Sequence, residues 1–288
     1  MIHHMDTWYV CITVLTASPT LRHVIPFQDR GLVTAVASLD DDVFVVRYNS
    51  QQVDIYDTVN FTIQRHITVP GLGTRTWGII ACARNICLYL SDWGNDIVHR
   101  VELSGSNAVK MWSVASGPRG LSVNIALNLV VTCFRANKLQ EYTTHGDIVR
   151  EICLHTGVMS PWHANQLSTG DYVVSLWASP GVVSVVGVNG QIVYSHGQSQ
   201  TSDVGQMEHP TSLAVTKNDN ILVADTNNNR ILSINRSAGC VQELALSVDG
   251  GMQSPLALCL DESRGRLYVG EWDGQHRVLV FDFDGVIL

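Results

Sequence analysis

Six segments of the chain share one alternation of apolar and polar positions: a short apolar strand, a polar loop of a few residues, and a second apolar strand. They are VFVVRYNSQQVDIYD from Val43, LYLSDWGNDIVHRVEL from Leu88 and LVVTCFRANKLQEYTT from Leu129, then YVVSLWASPGVVSVVG from Tyr172, ILVADTNNNRILSINR from Ile221 and LYVGEWDGQHRVLVFD from Leu267. The fifth residue of each serves as an anchor: Arg47, Asp92, Cys133, Leu176, Asp225 and Glu271. Successive anchors are 45, 41, 43, 49 and 46 residues apart. A period in the forties built of short strands and turns predicts an all-β fold, a six-bladed β-propeller with one four-stranded blade per repeat. Helical repeats of similar length are disfavoured, because β-branched residues dominate and no 3.6-residue periodicity persists.

The flanking strands follow. An inner strand is expected ahead of each pair, as at Gly78–Cys82, Gly120–Asn124 and Ser212–Val215, where small residues suit crowding about an axis. An outer strand is expected after it, as at Lys110–Ala115, Glu151–Thr156 and Gln242–Val248. The sixth repeat is nearly out of chain after Asp282, whereas Leu21–Phe27 (LRHVIPF) resembles the outer strands. The N-terminal segment is therefore expected to close the last blade, which removes an open sheet edge. On this reading residues 1–32 hold the closing strand (about 21–27) and residues 33–288 the rest of one propeller.

Composition narrows the functions. Hydrophobic residues make up 45% and charged residues 15%, ample for a large core and too little charge for disorder. The net charge is −8, and only Lys110, Lys138 and Lys217 among the 18 basic residues are lysines. That balance opposes DNA binding, which draws on clustered cations. Trp8–Ala17 is apolar but lacks a basic flank and is too short to span a bilayer, so it reads as a strand and no membrane partner is expected. Seven cysteines without framework spacing read as free thiols in a reducing, cytoplasmic setting. The sequons at Asn60 and Asn235 would matter only in a secreted protein.

The fifth repeat carries a family likeness. His209-Pro-Thr-Ser-Leu-Ala-Val215 followed by Asn220-Ile-Leu-Val-Ala-Asp-Thr-Asn-Asn-Asn-Arg-Ile231 resembles an NHL repeat, with Asp225, Asn229 and Arg230 at its acidic, Asn and Arg positions. The second repeat lacks the Arg, the sixth replaces Asp by Glu271, and the first, third and fourth are degenerate. The whole also resembles the propeller at the carboxyl end of invertebrate tripartite-motif proteins. That likeness implies a protein-interaction or substrate-recognition scaffold serving ubiquitin-ligase assemblies. The chain shows no zinc-ligand series or heptad stretch for a ligase module. A monomeric domain without cofactor or catalysis of its own is expected.

The residue after the anchor is aromatic in five repeats: Tyr48, Trp93, Phe134, Trp177 and Trp272. A ring of aromatics there would suit protein recognition, since aromatic anchors carry much interface energy. The alternative is a wedge between blades. Asp92, Asp225, Asn229 and Glu271 read as structural repeat positions that cap turns, with Arg230 bracing the same loop. Arg47, Arg75, Arg119, Arg135 and Arg230, placed on loops of one face beside aromatics, allow single-stranded RNA binding as a second reading. A metal-dependent lyase or lactonase is the third. Relatives of the NHL type include a lyase that holds zinc with channel histidines, and His163 and His209 are the candidates here, two where a competent site needs three ligands.

Overall fold

The computed structural model describes residues 19–27, 31–155, 157–197, 205–236 and 239–283. The apolar run at Trp8–Ala17, Cys11 and Ser237 of the second sequon lie outside them.

Among the described residues, twenty-four strands form six four-stranded antiparallel sheets, the six blades. The chain enters through β1 (Thr20–Pro26). Blade one is β2 (Val33–Leu39), β3 (Asp42–Arg47), β4 (Gln52–Asp57) and β5 (Ile63–Thr68). Blade two is β6 (Thr76–Cys82), β7 (Cys87–Asp92), β8 (Ile97–Glu102) and β9 (Val109–Ser113). Blade three comprises β10 (Pro118–Val123), β11 (Leu129–Cys133), β12 (Lys138–Tyr142) and β13 (Ile148–Cys153). Blade four comprises β14 (Pro161–Gln166), β15 (Tyr172–Leu176), β16 (Val182–Val186) and β17 (Ile192–His196). Blade five has β18 (Pro210–Val215), β19 (Ile221–Asp225), β20 (Arg230–Asn235) and β21 (Cys240–Glu243). Blade six has β22 (Pro255–Asp261), β23 (Arg266–Glu271) and β24 (Arg277–Asp282), with β1 as its fourth strand. The closing strand expected near Leu21–Phe27 is thus present, in register from Thr20 opposite Asp282 to Pro26 opposite Arg277. An ion pair of 2.8 Å between Arg22 and Asp282 adds to it.

Alternation along the strands explains the packing. In β3, Phe44 and Val46 join Leu88 and Leu90 of blade two, while Val43 and Val45 join Tyr268, Val278 and Val280 of blade six. All six hydrophobic clusters are layers of this kind between neighbouring blades. The second strands are therefore buried on both faces and read as unbroken apolar runs. Outer strands cover only one face, so β5 and β13 are mostly exposed.

Inner strands of adjacent blades do not share a ladder, so side chains satisfy their carbonyls instead. Ser91 donates to Arg119 O at 2.8 Å, Ser122 to Ala164 O at 2.7 Å and Thr226 to Pro255 O at 2.8 Å. Ser175 donates to Thr211 O. Gly120 is needed for this closeness: a Cβ there would sit 2.7 Å from the His163 Cα. Inner strands begin two residues earlier than expected at β6, β10 and β18, at Thr76, Pro118 and Pro210. Cys82, Cys87, Cys133, Cys153 and Cys259 are free thiols, whereas Cys240 departs from the expectation and is disulfide-bonded.

Candidate functional site

Loops joining second to third strands share a face with the loops that lead into each inner strand. Backbone bonds tie the two: Tyr48, Trp93, Phe134, Trp177 and Trp272 donate their N–H groups to the carbonyls of Leu32, Arg75, Gly117, Ser160 and Ser254, at 2.8–3.0 Å. The five aromatics therefore hold equivalent places on this loop face.

The acidic anchors beneath them clamp the same two loops together. Asp92 is fully buried and accepts from the N–H groups of Gly73 (2.8 Å) and Gly94 (3.1 Å) and from the Asn95 amide (2.8 Å). Burial pushes its carboxyl up, but His99, Asn95 and Gly73 outweigh that and hold it at about 2. Asp225 accepts from the Glu208 N–H at 2.6 Å and from Arg230 Nε at 2.9 Å. Glu271 accepts from the Gln253 N–H at 2.8 Å and from Arg277 Nε at 2.7 Å. Asn229, left-handed at φ 55°, accepts from the Ser254 N–H at 2.7 Å and so ties blade five to blade six.

Two degenerate repeats reach the same end with other residues. In blade one the charges are exchanged: Arg47 pairs with the buried Asp54 at 2.9 Å. In blade three the Gln140 carbonyl, seven residues beyond Cys133, accepts the Ala115 N–H at 2.7 Å. Neither Asp54 nor Gln140 stands out in the sequence. Their signal is position, on the third strand opposite the residue two before the anchor.

The second residue of each inner strand follows the opening Pro, Thr or Val: Thr34, Trp77, Arg119, Trp162, Thr211 and Leu256. A register shift lies at this point in every blade. Trp77 and Trp162 join the expected aromatics into one network. Tyr48 meets Trp77 and Trp272 at 5.8 and 5.5 Å, and Trp77 stacks on Trp272 at 5.3 Å. Trp162 meets Trp77 at 5.7 Å and stacks on Trp177 at 4.6 Å, which in turn meets His209 at 4.3 Å. Trp93 meets Phe134 at 5.5 Å.

Arg119 joins the two halves of the network. Its guanidinium carbon lies 3.7 Å from the Trp162 ring, 4.4 Å from Trp93, 4.5 Å from Phe134 and 4.9 Å from Trp77. Trp93 and Trp162 are buried, while Tyr48, Trp77, Phe134, Trp177 and Trp272 are half-buried. The rings thus pack on one another and still present edges to solvent. Trp77, Arg119, Trp162, Trp177 and Trp272 line a pocket of about 300 Å³ with Asp273 on its rim.

The other arginines differ. Arg230 is held by Asp225 and, at 3.4 Å, by Glu243, and Arg47 by Asp54. Arg135 is exposed and stacks over Trp93 at 4.4 Å. Below the mouth, His163 faces a channel cavity of about 180 Å³. Its Nδ1 accepts from the Leu213 N–H at 3.0 Å and its Nε2 lies 3.1 Å from Leu121 O, as a donor in the neutral ring. Both nitrogens are thus spent on backbone, and burial pulls the imidazole down to about 4. His209 is on the loop face, its Nδ1 accepting from the Asn227 amide at 2.8 Å. Among the described residues no group of three or more His, Cys, Asp or Glu side chains is placed to hold a metal.

The family model for the NHL repeat matches residues 208–232, which hold β18, β19 and the Asp225–Arg230 clamp. Blade five carries an NHL repeat. Its Asp, Asn and Arg are the clamp residues just described, so the motif of this repeat marks loop geometry and not the pocket. No curated protein matches the chain in sequence. A solved streptogramin B lyase superposes over 91% of this chain and 97% of its own, with TM-score 0.65 and 11% identity. A catalytically inactive variant of virginiamycin B lyase from Staphylococcus aureus, solved with quinupristin, gives 91%, 98%, 0.64 and 9% in the same order. Kuenenia stuttgartiensis hydrazine synthase gives 90%, 79%, 0.64 and 17%. At these identities the likeness is one of fold.

Proposed function

We propose that the chain is a recognition scaffold that binds a protein partner through its loop face, at the mouth of the channel. The observation that carries this is the aromatic network, with half-buried Trp77, Trp177 and Trp272 around an open pocket. Tryptophan, tyrosine and arginine dominate the energetics of protein interfaces when clustered at a patch centre. The resemblance to tripartite-motif propellers fits a partner that is a substrate of a ubiquitin-ligase assembly, the ligase activity coming from elsewhere. Free Cys82, Cys87 and Cys133 fit a reducing, cytoplasmic setting, while the disulfide at Cys240 weighs the other way. No helix among the described residues is long and apolar enough to cross a membrane.

The RNA reading has less support, because Arg47 and Arg230 are neutralised by Asp54 and Asp225. So has the lyase reading, because both His163 nitrogens are bonded to backbone. Partner capture with the full chain, beside a Trp77→Ala/Trp272→Ala variant shown to fold by circular dichroism, tests the proposal. Proteins retained by the wild type and lost by the variant are expected. Identical retention by both would sink the loop face as the binding surface, as would salt-sensitive RNA binding that the variant keeps.

A further inference from the structure

Arg119 has no counter-charge among the described residues of the propeller. Arg119 is half-buried, and a guanidinium drawn out of water ordinarily meets a carboxylate, as the buried Arg277 meets Glu271 and the half-buried Arg230 meets Asp225. The Nε and Nη1 atoms of Arg119 are shielded from water and make no hydrogen bond among the described residues. The one charge acting on it there is that of Arg135, which repels it. Rings on its faces offset part of the desolvation cost. They cannot accept from the in-plane N–H edge. Arg119 itself lines the pocket with Trp77, Trp162, Trp177 and Trp272.

We propose that this pocket binds a carboxylate carried on a flat apolar group. Arg119 supplies the positive charge and an N–H donor to the carboxylate, and the tryptophans enclose the apolar body. At about 300 Å³ the pocket is at the lower end of small-ligand sites and takes a ring with a short chain. Asp273 on the rim and the net charge of −8 select a monoanion over phosphate or a polyanion. Burial, with help from Arg135, pulls Arg119 down to about 9, so the guanidinium is charged at neutral pH and gains from an anion beside it. Pocket and Arg119 belong to the loop face, so the inference rests on that face being the binding face. The carboxylate can come from a free aryl-alkanoic acid or from the carboxyl terminus of a partner ending in an aromatic residue.

Titration of the full chain with 3-phenylpropionate and with 3-phenylpropionamide, read by quenching of tryptophan fluorescence, separates charge recognition from ring stacking. The acid should bind at least about tenfold more tightly than the amide, as a charge-assisted bond requires. Arg119→Met should erase that preference and leave the melting temperature unchanged or raised. Equal binding of acid and amide by the wild type overturns the inference, whatever the variant does. So does a melting temperature that falls in Arg119→Met as it would for a paired structural arginine. A Gly-Gly-Phe peptide with a free carboxyl terminus, beside its C-terminal amide, assigns the source. Tighter binding of the peptide acid than of 3-phenylpropionate points to a partner's terminus, and the reverse order to a free acid. If neither acid is preferred over its amide while the tryptophan variant still loses captured proteins, the carboxylate site fails and the scaffold reading stands.

Discussion

Arg277 and Arg119 both serve the loop face, yet the protein treats them in opposite ways. Arg277 is 5% exposed and lies against a fully buried Glu271, with further bonds to the Gln275 side chain (2.8 Å) and Gly251 O (2.8 Å). Every edge of that guanidinium has work inside the fold. Arg119 is surrounded by four rings, and its buried Nε and Nη1 find no acceptor among the described residues. The first arginine is explained by the loop that it ties down. The second is held by ring faces, against which an apolar side chain of the same volume could also pack. A half-buried charge without a partner among the described residues is where an external one is to be sought.

The contrast can be broken in order of expected effect. Glu271→Ala leaves Arg277 buried and unpaired, which should cost about 3–5 kcal/mol, seen as a lower urea midpoint at unchanged slope. The second test uses pH. His163 supports the channel wall below the mouth, and its folded value near 4 lies below the ordinary 6.5. The unfolded chain binds that proton first, so stability present above pH 6.5 should fall as the pH drops towards 4, by about 3 kcal/mol at most. The clamp at Asp92 is also depressed, from 3.8 to about 2, so its contribution should survive that window and fade only below pH 3.8. His163→Gln should flatten the upper window and spare the lower. Third, Asp225→Asn keeps an acceptor for the Glu208 N–H but removes the charge facing Arg230. A loss of about 1–3 kcal/mol is expected by thermal unfolding. The smallest effect belongs to Arg119→Met, within about 1 kcal/mol of wild type, because lost cation–π attraction and relieved desolvation oppose each other. A drop as large as that of Glu271→Ala would make the two arginines equivalent and end the comparison.

The repeat was legible because blade packing imposes it. Second strands buried on both faces must be apolar throughout, and a near-constant period follows from stacking similar layers. The closing strand was readable for the same reason, since the sixth repeat supplies three strands and a blade needs four. The five aromatics after the anchors were visible through their period. Trp77 was missed because its inner strand was expected to begin at Gly78, one residue too late to include it, whereas Arg119 was read as a loop-face arginine and not as the second residue of β10. A register shift at that point breaks the alternation on which strand reading depends. Gln140 and Asp54 were invisible for another reason. Their roles exist only across a strand pair, and no local pattern announces an acceptor that replaces a carboxylate elsewhere in the repeat.

Ring closure by β1 also sets a timetable for biosynthesis. Its salt bridge from Arg22 to Asp282 joins residues 260 apart, so the sixth sheet cannot be finished until nearly all of the described chain has left the ribosome. At translation rates of about 5–20 residues per second, β1 waits roughly 13–50 s for its partner. Blades one to five can assemble in order during that interval, each resting on the one before. Of the described strands the first one made is the last one docked, and until then β1 is the unpaired edge that a nascent neighbour could capture.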